Sequence, residues 1–129
     1  MVAVVWRVSD PDFDVAAFLQ EFDLEPDVVW RRGEKEGDRQ INTSGFNLSI
    51  DQEDTLEGIL EDLRTFLTQK RSAFLALQAQ GVSSSIDFGF TVGGARHFMS
   101  SLRFPPTDLA LLAELGITLK VSAYPGSDD

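Results

Sequence analysis

Hydrophobic positions along this chain change period several times, and each change marks a new element. Val2, Val4, Trp6 and Val8 alternate with Ala3, Val5 and Arg7, the pattern of a strand covered on both faces near the centre of a sheet. Ser9-Asp10-Pro11-Asp12 supplies a turn and a helix start, after which Val15, Phe18, Leu19 and Phe22 recur at helical spacing. Leu24-Glu25-Pro26-Asp27 ends that helix, because proline cannot continue the hydrogen-bond ladder, and Val28 to Arg31 reads as a second strand. A charged loop follows from Gly33 to Arg39. A third strand is expected from Ile41 to Ile50, with Phe46, Leu48 and Ile50 inward against Asn47 and Ser49.

From Asp51 to about Gly81 the spacing of Leu56, Ile59, Leu60, Leu63, Phe66, Leu67, Phe74, Leu75 and Leu77 predicts one long amphipathic helix lying across the sheet. Acids crowd its start, Lys70 and Arg71 lie in its second half and Gly81 stops it, an order that suits the helix dipole. Ile86, Phe88, Phe90 and Val92 then alternate with Asp87, Gly89 and Thr91. Gly93-Gly94 turns the chain toward a return strand carrying Phe98, Leu102 and Phe104, which predicts a β-hairpin. Pro105-Pro106-Thr107-Asp108 opens a third helix with Leu109, Leu112 and Leu115. Gly116 stops it, and Ile117, Leu119, Val121 and Ala123 form a last, one-sided strand.

The order is strand-helix-strand-strand-helix-strand, ferredoxin-like, extended by a strand-helix-strand unit. The fold class expected is α+β: a two-layer sandwich of a mostly antiparallel sheet and three helices. Residues 1–124 read as a single domain and 125–129 as a flexible tail. The length of 129 residues, 43% hydrophobic content and ten phenylalanines supply one core. There are no cysteines, which removes disulfides, thiol catalysis and Cys-ligated metals. The first residues lack a signal-peptide pattern and no apolar run nears the ~20 residues of a membrane span, so the expected location is cytoplasmic, with no membrane partner.

Charge changes the picture more than composition does. The formal net charge is −10, and two segments without a single base carry most of it. Val8 to Asp27 holds seven acids and Asp51 to Asp62 six. If the helices of these segments share a side of the sheet, that side presents a strongly negative field, with Asp12, Asp14, Glu21, Asp54, Glu57 and Glu61 as the candidate contacts for a basic protein; nucleic acid is disfavoured there. Acidic helices that only keep a domain soluble are the plainer reading.

Catalytic and metal signatures are missing. His97 is the single histidine, so a metal site would need carboxylates at a spacing the chain does not have. Gly89 and Gly93-Gly94 make no phosphate loop. No cofactor is expected. A second candidate surface combines Trp30, Arg31 and Arg32 with His97, Arg103, Lys120 and Tyr124, a local basic excess with aromatics that suits an anion, a small ligand or a partner; a solvated open sheet face is the alternative.

The segment Leu24-Glu25-Pro26-Asp27-Val28-Val29-Trp30-Arg31-Arg32-Gly33-Glu34, then Thr43-Ser44-Gly45-Phe46-Asn47-Leu48, and later Leu115-Gly116-Ile117 through Tyr124 resemble the bacterial domain-of-unknown-function family 4279. The resemblance covers nearly the whole chain. It implies a compact α+β bacterial protein with no established activity. Phe46 stands where the family favours tryptophan, and Ser122 where an acid often precedes the final tyrosine. Three functions stay open: a non-catalytic binding module, such as an immunity-type inhibitor facing a basic toxin; a small-ligand or anion-sensing domain; and, last, an enzyme. One edge strand or sheet face would suffice for a homodimer.

Overall fold

The computed structural model describes residues 2–53, 58–92 and 102–125. Its elements in chain order are β1 (Val2–Asp10), α1 (Val15–Glu21), β2 (Val28–Trp30), β3 (Lys35–Glu36), β4 (Arg39–Gln40), β5 (Ser44–Glu53), α2 (Ile59–Gln69), α3 (Arg71–Gln80), β6 (Ser83–Val92), α4 (Pro106–Glu114) and β7 (Thr118–Pro125). The main sheet runs β2-β5-β1-β6-β7, and β3 and β4 form a separate two-stranded sheet. β1 is central, antiparallel to both β5 and β6, whereas β7 joins β6 in parallel. The sheet is therefore mixed.

Several expectations change. Among the described residues four helices replace three, because the long helix breaks at Lys70, which sits at φ −106° and ψ 19° between α2 and α3. The break lets α2 pack on β5 and α3 on β6, two strands that a twisted sheet sets at different angles. Asp51 to Glu53 extend β5 rather than opening a helix. The loop after Gly33 contains the β3–β4 hairpin. Within the expected return strand, residues 93–101 lie outside those described, and Leu102 to Phe104 are not strand; Phe104 instead sets its ring edge-on to Phe88 at 5.2 Å. The inserted hairpin, the divided helix and the parallel fifth strand keep the whole from matching a plain ferredoxin-like order. Pro125 closes β7 opposite Val92, and residues 126–129 of the expected tail lie outside those described.

The core lies between the sheet and the helices. Val2, Val4, Trp6 and Val8 of β1 meet Val15 and Phe18 of α1, Leu63 and Leu67 of α2, Phe74 and Leu77 of α3, and Leu112 of α4 in one cluster. Trp6 is its hub. Phe18, Phe46, Phe66 and Phe74 surround the indole with ring centres 4.2–6.4 Å away. Its N–H donates to Ser84 Oγ at 2.9 Å, so the one polar atom of the ring is satisfied inside an apolar shell.

The other face of the sheet carries no helix among the described residues. Ala3, Val5 and Arg7 on that face are only half-buried, which corrects the expectation of a central strand covered on both sides. Two aromatics partly cover the bare face instead. Trp30 lies across Gly45, where an added Cβ would stand 2.8 Å from the ring, and Tyr124 lies over Gly89 with the corresponding gap at 3.2 Å.

Candidate functional site

Strand register decides what the bare face can do. Arg7 pairs with Asn47 on β5 and Ser85 on β6; one step along, Val5 pairs with Asp87, and Asp87 stands opposite Lys120 on β7. These side chains therefore point the same way. Arg7 Nε donates to Asp87 Oδ2 at 3.2 Å, and Ser122 Oγ donates to Asp87 Oδ1 at 2.9 Å. With the Asn47 amide turned to satisfy its neighbours, its oxygen accepts from Arg7 Nη1 at 3.1 Å. Only 4% of the Asp87 side chain is exposed, against 40% of Arg7. A carboxylate is costly to withdraw from water unless its oxygens are bonded, and here both are. Asp87 therefore acts as a fixed orienting group for the guanidinium.

Beside this pair a cleft of about 120 Å³ is lined by Ala3, Val5, Arg7, Asp87, Gly89 and Tyr124, among others. Its floor is made of small side chains because Gly89 gives Tyr124 room to lie down. Among the described residues no group of three or more His, Cys, Asp or Glu side chains is placed to hold a metal ion.

The opposite side of the sheet carries the helices and several of the candidate acids. α1, α2 and α3 all pack against Trp6 through Phe18, Phe66 and Phe74, so they share one side of the sheet. Asp14 caps α1 by accepting from Ala17 N at 3.1 Å. Asp12 meets Arg32 Nη1 at 3.4 Å, Glu21 is exposed at the end of α1, and Glu61 is exposed in the first turn of α2. Asp54, Glu57 and His97 lie outside the described residues. Bases on this layer are largely tied up: Arg64 grips Asp108 and Arg71 meets Glu114. The Arg64 guanidinium holds the Asp108 carboxyl below its ordinary range, its hydrogen bonds outweighing the opposing effect of burial. Asp27, beside β2, is also lowered, by hydrogen bonds from Ser49.

The second candidate set does not gather in one place. Lys120 and Tyr124 share the bare face, and Trp30 lies on it at the far edge, two strands from β1, with its N–H donating to Thr43 Oγ1 at 3.0 Å. Arg31 and Arg32 belong to the loop after β2, where Arg32 N donates to Ser44 Oγ at 2.9 Å, and Arg103 is exposed in irregular chain before α4. Sequence reasoning missed Arg7, Asp87 and Asn47 as site residues, whereas Ser122 reads as an outward position of the last strand. The available signal was a charge inside the apolar alternation of each strand, Arg7 between Trp6 and Val8 and Asp87 between Ile86 and Phe88.

The fold and this surface define a class: a small α+β sandwich with a helix layer on one side of the sheet and, among the described residues, no helix on the other. The chain belongs to the DUF4279 family, domains of unknown function, whose profile matches residues 2–126. No curated protein and no solved structure matches the chain. No helix among the described residues is long and apolar enough to cross a membrane.

Proposed function

We propose that this domain is a non-catalytic protein-binding module of the immunity type, whose acidic helix layer meets the basic surface of a partner protein. The observation that carries this reading is segregation. The first base-free segment supplies α1 and the second the first turn of α2 to one layer, and that layer's Arg64 and Arg71 are engaged by its own carboxylates, while Glu21, Asp23 and Glu25 are exposed with no ion pair among the described residues. Fields of this kind steer a complementary partner and repel nucleic acid. A basic protein captured from the native host, with an association rate that falls as salt rises from 0.02 to ~0.5 M, is the expected result. An acidic partner, or a rate indifferent to salt, overturns it.

A second reading, a small-ligand or anion-sensing domain, draws on the bare sheet face. It is favoured by the oriented Arg7 and by Lys120 and Tyr124 standing on the same surface.

A further inference from the structure

Asp87 fixes Arg7 without using it up. A guanidinium carries five N–H donors; the structure assigns one to Asp87 and one to Asn47, which leaves three without a protein acceptor among the described residues. The side chain is 40% exposed. Together with Lys120, which stands opposite Asp87 in register, it makes this small area net positive in a chain of formal charge −10. A pre-oriented fork of this kind suits a carboxylate, whose two oxygens match parallel N–H donors.

The adjoining cleft limits what the carboxylate can be attached to. Its floor of Ala3, Val5 and Gly89 is apolar, Tyr124 forms a wall, and its volume of about 120 Å³ suits a small ligand. Gly89 matters here: with any side chain at that position the Tyr124 ring, 3.2 Å from the added Cβ, would be lifted off the sheet. We propose that this cleft binds a small organic carboxylate with a flat apolar body, its oxygens on Arg7 and its body against Tyr124. The proposal deepens the second reading above and is independent of the acidic layer, which lies across the sheet.

Benzoate is the probe, followed by amide chemical shifts in the intact chain. Saturable shifts confined to the cleft lining, among them Ala3, Val5, Arg7, Gly89 and Tyr124, are expected. Benzamide, the uncharged isostere, should bind at least about tenfold more weakly, since it brings no negative charge to the guanidinium. Because Arg7→Met strands a buried carboxylate and risks unfolding, the deciding variant is Tyr124→Ala. Its parent side chain is exposed, and it should weaken benzoate about fivefold or more while leaving the unfolding midpoint in place. Equal binding of benzoate and benzamide, shifts centred on Arg64 and Arg71, tighter binding of inorganic phosphate, or no change in Tyr124→Ala would each overturn the assignment. Salt-dependent capture of a basic protein bears only on the acidic layer, so failure of one reading does not entail failure of the other.

Discussion

Arg64 of α2 holds Asp108 of α4 with two nitrogens, Nε on Oδ1 and Nη2 on Oδ2, the latter at 2.6 Å. Asp108 sits in the first turn of its helix, where a negative charge also complements the dipole. The pair ties the last helix to the layer over β5. Bidentate geometry makes it more than an ordinary surface contact.

Stability should therefore fall on the acid side. Because the folded Asp108 carboxyl titrates below its unfolded value of about 3.9, its contribution is present above that value and is lost as pH drops through the folded one. Denaturant midpoints measured from pH 6 down to ~2 should show this limb in the parent. Asp108→Asn should flatten it. An unchanged slope in the variant would mean that other carboxylates govern acid unfolding.

The ring cluster around Trp6 gives a graded expectation. Trp6→Ala should cost about 3–5 kcal/mol and Leu63→Ala about 2–5, both sites being almost fully buried. Phe66 is only half-buried, so Phe66→Ala should cost less than Leu63→Ala. Chemical unfolding decides it. Losses below about 0.5 kcal/mol at Leu63, the range of ordinary surface changes, would contradict the packing of α2 on the sheet.

Two glycines on the bare face should behave differently. At Gly45 an added Cβ would stand 2.1 Å from the Val8 carbonyl oxygen and 2.9 Å from Ser9 Cα, backbone that cannot retreat without opening the β1–β5 ladder. Gly45→Ala should cost about 3 kcal/mol. At Gly89 the only neighbour within 4 Å among the described residues is the exposed Tyr124 ring, which can swing away, so Gly89→Ala should cost less than about 1 kcal/mol. Comparable losses at both sites would mean that Tyr124 is held more firmly than its exposure implies.

Much of this was legible in the sequence, and the rest failed for identifiable reasons. The alternation of Val2 to Val8 located β1, and Phe18 and Leu77 announced faces that the core does use. The break at Lys70 was invisible because Leu63, Leu67, Phe74 and Leu77 keep one helical phase across it. β3 and β4 hold no apolar residue, so no periodicity marks them. Leu109 looked like core and is 47% exposed, while Asp108 is buried in its place because Arg64 satisfies it. The Arg7–Asp87 pair joins residues 80 positions apart. Only strand register brings them together, and register is not encoded in either strand alone.

The last expectation concerns the acidic layer as a binding surface. Glu21 ends α1 and Glu61 opens α2, both exposed on the same side of the sheet. Reversing both to lysine changes the charge of that layer by about four units, and steering acts mainly on the association rate. Glu21→Lys suits a helix C-terminus, so it should not unfold α1, whereas Glu61→Lys removes a favourable dipole contact and needs a stability check. With ~8 Å screening at 0.15 M ionic strength, the double variant should associate with the captured partner about tenfold more slowly at low salt, and the difference should shrink as salt rises. Glu114→Lys is a poor control because Glu114 pairs with Arg71 on this same layer. Thr118→Glu is better: Thr118 opens β7 and stands on the bare face, in register with Ser85. It should leave the rate unchanged. If Thr118→Glu alters association as much as the double reversal does, the partner sits on the sheet face, and the acidic helices serve only to keep the domain in solution.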